Sequence, residues 1–378
     1  MRKVIAYGLL RLEPDLFHNR RISRVLIYRL GSLGDTVVSL PCLHLIARSF
    51  PSATRVMLTN QPVHVKAPSV RSVIGESGLV HDYINYTVGT RKLSELARMW
   101  RQIRRYAPDI LIYLAAPRGE KAIKRDLSFF RLCGIGTIVG APLGDLASPR
   151  YDEQTGMWEH EALRLARTIA PLGDANPYDL ANWDLKWTAA ELREADEALA
   201  PLGGRRFLVA GIGTKMQSKD WGAEKWQALI RQMAVRFPDY GLVFVGAKDD
   251  SELSDQVAQG WQAETLNLCG RLSPRETAAM LRHAELFLGA DSGPMHLAAS
   301  VGTPCANVFS ARAMPGIWFP FGAGHQVVYH KTDCFGCNLE TCIEQKRKCL
   351  ASIEVNEMFG AVVRAWQYGK QLREAQAV

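Results

Sequence analysis

In the stretch GADSGPMHLAASVGTP, residues 289–304, an acid (Asp291), a hydroxyl (Ser292), a glycine (Gly293) and an imidazole (His296) fall within six positions, directly after the apolar run AELFLG. A strand that empties into these residue types just where small apolar spacing resumes puts them at the start of a helix. There Ser292 and Gly293 can present unpaired backbone N–H groups, the helix dipole adds partial positive charge, and the glycine allows close approach. That is the chemistry of a phosphate site. Asp291 cannot favour phosphate, so it suits hydrogen bonds from sugar hydroxyls. His296 follows within one turn and is as well placed to touch a ligand as to serve the core.

Two other loops carry comparable residues. GIGTKMQSKDWGAEKW, residues 211–226, leaves a strand through Gly211 and Gly213 and offers Thr214, Lys215 and Lys219 before the next helix. A hydroxyl and a mobile cation on a strand-to-helix loop suit a diphosphate; a solvated basic loop is the bland alternative. GSLGDTVVSLPCL, residues 31–43, follows the first strand. Gly31 and Gly34 permit a tight turn, and backbone N–H groups at the new helix start could face an anion or a hydroxyl. Asp35 sits where a helix N-cap belongs, so it either caps the helix or serves as a general base. The glycines do not form the G-x-G-x-x-G pattern of a dinucleotide site.

The elements that must position these loops read as two α/β series. Strands are expected at 24–30, 55–59, 82–86, 109–115 and 137–141, with helices at 36–49, 91–106 and 120–133. A Pro-, Gly-, Asn- and Asp-rich stretch follows, around one amphipathic helix at 189–200. A second series then runs FLVAGIG, GLVFVGA, TLNLCG, ELFLGA and PCANVFS, with helices between. Alternating strands and helices predict parallel sheets covered on both faces. The domains are expected at 1–173, with a linker at 174–205, and at 206–352, with a cysteine-rich loop at 334–349. A last helix within 353–378 is expected to pack back on the first domain. Two Rossmann-like domains would face a cleft at the carboxyl ends of their strands.

In this order, RLGSLGDTVVSLP, GTKMQSKDW and GADSGPMHLAASVGTP resemble glycosyltransferase family 9, the bacterial ADP-heptose:lipopolysaccharide heptosyltransferases of GT-B fold. The resemblance spans residues 24 to about 310. It implies an inverting transferase with no catalytic metal and a nucleotide-diphosphate sugar, ADP-heptose above all, as donor. Asp35 matches the base that deprotonates the acceptor hydroxyl. Thr214 and Lys219 match the donor-diphosphate residues, Ser292 and Gly293 the phosphate cradle, and Asp291 and His296 the donor-sugar side. Asp250 falls where the family has an acid for the ribose, more often a glutamate, and Leu272 near the adenine contact. An alternative of another class is a nucleotide-sugar epimerase or hydrolase of the same build; a third is a non-catalytic nucleotide-sugar binder.

The acceptor half departs from the family in YLAAPRGEKAIKRD, where Arg118 and Lys121, with Gly34, are the candidate contacts for an anionic glycolipid or glycan. A solvated basic helix face is the alternative. The formal charge of +8 favours polyanions, and TRKLSELARMWRQIRR suits an anionic membrane surface. No recognised nucleic-acid reading module is present. CFGCNLETCIEQKRKC sets Cys334, Cys337, Cys342 and Cys349 at C-x2-C-x4-C-x6-C, spacing that can make a structural zinc or rubredoxin-like iron site. Unligated thiols clamping a loop are the alternative. No segment of about 18 apolar residues occurs. The start, MRKVIAYGLLRLEPDLFHNRR, is broken by Arg11, Glu13 and Asp15 and lacks a small-residue cleavage site, so it does not read as a secretory signal. The expected location is cytoplasmic, peripheral on the inner membrane; oligomeric state is left open.

Overall fold

A computed structural model describes residues 22–60, 68–90 and 92–376. The N-terminal stretch just discussed and the first position of the expected 91–106 helix lie outside the described residues. The chain divides into two compact units, Met1–Arg150 with Glu161–Lys186, and Tyr151–His160 with Trp187–Val378.

The first unit carries a five-stranded parallel sheet of order β3-β2-β1-β4-β5. Its strands are β1 (Arg24–Tyr28), β2 (Thr54–Asn60), β3 (Asp82–Tyr86), β4 (Ile110–Tyr113) and β5 (Ile138–Val139). The helices are α1 (Leu33–Val37), α2 (Leu40–Ser49), α3 (Val70–Ile74), α4 (Leu93–Tyr106), α5 (Glu120–Leu132) and α6 (Glu161–Thr168). Apolar runs such as VLIY and ILIY are buried along their whole length, as strands covered on both faces must be. Leu26 and Tyr28 of β1 share a core with Met99 and Ile103 of α4 and Phe130 of α5. The single helix expected at 36–49 is two, because the chain turns at Val38 and Ser39 before Pro41 opens α2.

The second unit holds a six-stranded parallel sheet, order β10-β9-β8-β11-β12-β13. A two-stranded antiparallel hairpin, β6 (Tyr151–Asp152) and β7 (Met157–Trp158), precedes it in the chain. The sheet is built from β8 (Phe207–Gly211), β9 (Gly241–Phe244), β10 (Thr265–Asn267), β11 (Leu286–Ala290), β12 (Cys305–Phe309) and β13 (Gln326–Tyr329). Its helices are α7 (Ala189–Leu199), α8 (Ala223–Arg236), α9 (Ser251–Ala258), α10 (Pro274–Leu281), α11 (Gly293–Ser300), α12 (Lys348–Ala351) and α13 (Val355–Gln376). Among the described residues no helix is long and apolar enough to cross a membrane.

Three expected boundaries are corrected. The stretch 174–205 is not a linker: Asn182, Trp183 and Leu185 are buried in the first unit, and Arg48 donates to Asn182 Oδ1 at 2.6 Å. α7 belongs to the second unit, where Arg275 of α10 grips Glu191 through two guanidinium N–H groups. Residues 151–160 also belong to the second unit, although they precede α6 of the first. The C-terminal helix α13 packs on its own unit, placing Met358, Ala361, Val362 and Ala365 in the core of the second sheet. An amphipathic stripe states that a helix has a partner; it does not state which sheet that partner is.

Candidate functional site

At the carboxyl end of β1 the chain passes through Arg29, Leu30 and Gly31. Gly31 takes φ +135°, and a Cβ there would stand 2.3 Å from Asp35 Cβ, so only glycine lets the loop fold over the aspartate. Asp35 is the third residue of α1; Ser32 is the N-cap. The Ser32 N–H and hydroxyl both donate to Asp35 Oδ2, at 2.8 and 3.1 Å. The two readings of Asp35 are thus compatible: one carboxylate oxygen holds the helix start, and the side chain, 27% exposed, is still reachable.

Asp35 Oδ1 lies 3.9 Å from Nη2 of Arg29, a residue the sequence reading missed. An arginine at the end of an apolar strand gives no signal of burial, yet its side chain is fully inside. Its Nη1 donates to the Leu114 carbonyl and its Nη2 to the Asp35 carbonyl. Burial pulls its pKa down, opposed by the carboxylates of Asp35 and Glu161. Glu161 is itself clasped by Arg164 through two bonds of 2.7 Å. The base candidate therefore sits on a cationic buttress, not on a bare helix end.

The acceptor candidates separate. Gly34 is buried within α1, and Lys121 is exposed on α5. Arg118 faces inward: it pairs with Asp126, donates to the Tyr28 hydroxyl at 2.8 Å, and lines a cavity of about 540 Å³ with Tyr86, Met99, Phe129 and Phe130.

In the second unit two of the loops singled out by sequence converge. Lys219 Nζ lies 2.7 Å from Asp291 Oδ2, joining the loop after β8 to the one after β11. Asp291, expected on the sugar side, is engaged here by the lysine expected to grip phosphate. Ser292 is the N-cap of α11, with Gly293 and Pro294 in the first turn. Its hydroxyl is buried and has no partner among the described residues. His296 is buried, edge-on to Trp318 with ring centroids 6.3 Å apart. Beside it the sequence reading missed His160, whose pKa is pushed down to about 3 by burial and by its imidazole neighbours His296 and His325.

Asp250 accepts from the Ala247 N–H at 2.7 Å and lies so close to Gly213 and Gly246 that a Cβ on either would strike its carboxylate. It therefore joins the ends of β8 and β9. Leu272 is half-buried two residues beyond Gly270, whose N–H donates to the Gly246 carbonyl. Thr214 bonds the Met216 carbonyl at 3.1 Å and so shapes its own loop.

The cysteine loop does not present a metal set. Among the described residues no group of three or more His, Cys, Asp or Glu side chains is placed to hold a metal ion. Cys337 is exposed, Cys342 is buried, and Cys334 and Cys349 are intermediate. Cys342 Sγ instead accepts from the Arg347 N–H at 3.4 Å. A zinc or rubredoxin-like iron site made by these four cysteines needs their thiolates to converge tetrahedrally, and these positions do not fit it. The loop buttresses the segment that carries Lys219. Ser218 Oγ donates to the Leu339 carbonyl at 2.7 Å, the Cys342 N–H to Gln217 Oε1 at 2.8 Å, and Arg347 Nη1 to Asp220 at 2.6 and 2.9 Å.

Comparisons with known proteins bear on the family and the fold. The family model for glycosyltransferase family 9 (heptosyltransferase) matches residues 150–348, just over half of the chain. Lipopolysaccharide heptosyltransferase 3 of Escherichia coli is 33% identical over 120 residues, covering 32% of this chain and about a third, 34%, of that relative. Lipopolysaccharide heptosyltransferase 3 of Escherichia coli strain K12 is 25% identical over 299 residues, 74% of this chain and 80% of the relative. Among solved structures, E. coli ADP-heptose lps heptosyltransferase II aligns with a TM-score of 0.64 at 15% identity, over 92% of this chain and 99% of that one; it shares the fold, GT-B, as expected. Because that family model matches over half of its length, the chain belongs to glycosyltransferase family 9.

Proposed function

We propose that the chain transfers heptose from ADP-heptose to a lipopolysaccharide core, with inversion and without a catalytic metal, at the cytoplasmic face of the inner membrane. The names of its relatives supply the donor, ADP-heptose, and the class of acceptor, lipopolysaccharide. The observation that carries the reading is the meeting of Lys219 with Asp291 beside the unpartnered Ser292 hydroxyl. Two loops separated by 72 residues in sequence supply one cation, one hydroxyl and one helix N-terminus to the same place.

In the proposed reaction the acceptor hydroxyl gives its proton to Asp35 as its oxygen bonds the anomeric carbon. The bond from that carbon to the diphosphate breaks, and ADP leaves with the electron pair. Lys219 and the start of α11 stabilise the charge that gathers on the departing phosphate. Arg29, 3.9 Å from Asp35 Oδ1 and bonded to the Asp35 backbone carbonyl, holds the turn that carries the carboxylate. Asp250 and Leu272 take the ribose and adenine sides, Thr214 shapes the diphosphate loop, and His296 and Asp291 border the sugar. Arg118, Lys121 and Gly34 serve the anionic acceptor.

The test is ADP release measured with and without acceptor. Asp35→Asn keeps the side-chain volume and should lower acceptor-dependent turnover by about 10²–10⁴-fold while ADP-heptose still raises the melting temperature. Turnover of donor at the same rate without acceptor assigns the chain to the hydrolase or epimerase class. Binding with no turnover assigns it to the non-catalytic class.

A further inference from the structure

The first unit keeps a surface that neither the Asp35 loop nor its core uses. α4 buries Met99 and Ile103 and turns outward Leu93, Ala97, Trp100 and Arg104, spaced i, i+4, i+7, i+11 along one line of the helix. Leu93 is 82% exposed and Trp100 40%. α5 contributes Leu132, 72% exposed, whose carbonyl accepts from Trp100 Nε1 at 3.2 Å. The Arg104 guanidinium stands 5.8 Å from the Trp100 ring centre. Beside this apolar line run Arg98, Arg101 and Arg105, all exposed.

The charge is as one-sided as the apolar exposure. α4 carries four arginines against one glutamate; α5 carries two lysines and two arginines against one glutamate and one aspartate. Single exposed apolar side chains are ordinary, but here Leu93 and Trp100 share one helix face and Leu132 of α5 stands beside Trp100. Large apolar side chains standing in a basic field match the boundary of an anionic bilayer, where they enter the acyl edge and guanidinium groups meet lipid phosphates.

We propose that the outer face of α4 and the carboxyl end of α5 dock on an anionic phospholipid bilayer. Leu93, Trp100 and Leu132 enter the headgroup boundary, and Arg98, Arg101 and Arg105 bind lipid phosphates. The proposal deepens the reading of an enzyme with a membrane-borne acceptor and rests on it for the reason to be at a membrane.

The experiment sediments the full chain with vesicles of phosphatidylglycerol and phosphatidylethanolamine, and with vesicles of phosphatidylcholine alone, at about 0.1 M salt, where surface attraction still acts. The wild type should pellet with the anionic vesicles only. Arg98→Ala/Arg101→Ala/Arg105→Ala should weaken binding on the order of 100-fold, and Leu93→Glu/Trp100→Glu at least about tenfold. All five side chains are exposed, so melting temperatures should stay at the wild-type value. Transfer to a soluble, deacylated core oligosaccharide, measured alongside, should be unchanged in both variants. Failure of the wild type to bind anionic vesicles, or wild-type binding by the two variants, overturns the proposal. So does an RNA affinity that falls with the arginines while the apolar pair has no effect on vesicles, since that assigns the face to polyanions at large. A wild type that docks but transfers no sugar refutes the activity and leaves the docking surface standing.

Discussion

A buried hydroxyl with no partner is a destabilising thing to keep, worth about 1–3 kcal/mol against the fold. Ser292, the N-cap of α11, keeps one with no partner among the described residues, which is where a ligand oxygen would complete it. Lys219 and Asp291 are satisfied by each other, so an arriving diphosphate competes with a carboxylate for the lysine and gains less from it than from a bare cation. The uncommitted binding energy at this place therefore lies in Ser292 and the helix start. Ser292→Ala is expected to weaken ADP binding about tenfold, by roughly 1.5 kcal/mol for a hydrogen bond to a charged group. The unliganded protein should melt at the same temperature or slightly higher, because an unsatisfied group has gone. Calorimetric titration with ADP and a melting curve check both; unchanged affinity in a destabilised variant would make the hydroxyl structural.

At the scale of elements, the segment that carries Lys219 is held by a loop far along the chain. Residues 339–347 reach Gln217, Ser218 and Asp220 through five hydrogen bonds, which fixes the segment that carries Lys219. Arg347 is partly exposed, its side chain at 30%, so solvent screens part of its attraction to Asp220. Arg347→Ala should raise the donor KM about three- to tenfold with little change in kcat, as loss of positioning for binding would. A fall in kcat at constant KM would instead place the loop in the chemical step. The strands of both sheets were legible because a parallel strand buried on both faces is an apolar run, as in VLIY and GLVF. β13 was not, because QVVY is only half-buried and follows a Gly- and His-containing turn. The three motif loops were legible because glycine, acid and hydroxyl have local reasons to follow a strand. The Lys219–Asp291 pair, the burial of Arg29 and the buttress from the cysteine loop were not, since each depends on which distant segments the sheet order brings together. Four cysteines in sixteen residues suggested a metal, but loop stiffness here comes from Arg347 and backbone hydrogen bonds.

For the molecule as a whole, the chain passes between its units at three places, after Arg150, after His160 and after Lys186. The segment 151–160 is fixed in the second unit by several bonds. The Trp158 N–H donates to the Pro315 carbonyl at 2.8 Å. His160 Nε2 donates to the Phe319 carbonyl at 2.9 Å, and its ring lies 4.9 Å from that of Phe321. Gly316 approaches Trp158 so closely that a Cβ would stand 2.4 Å from its carbonyl. Cutting the chain once, at a protease site placed after Lys186, should therefore not separate the two pieces: fragment 1–186 keeps residues 151–160 seated in fragment 187–378. The two should co-elute on gel filtration at pH 7. Acid should then release them. His160 is held neutral in place, its pKa pushed down to about 3 by burial and by His296 and His325, whereas a released histidine titrates near 6.5. The freed state binds more protons below that value, so the seating is full above pH 6.5 and is lost as pH falls towards 3. Between pH 7 and pH 5 it should weaken by roughly 2 kcal/mol, about thirtyfold. Replacing the imidazole by an amide of similar reach, His160→Gln, should abolish that acid dependence while leaving co-elution at pH 7. Fragments that part at neutral pH, or a variant as acid-sensitive as the wild type, would show that the segment does not fasten the two units in this way.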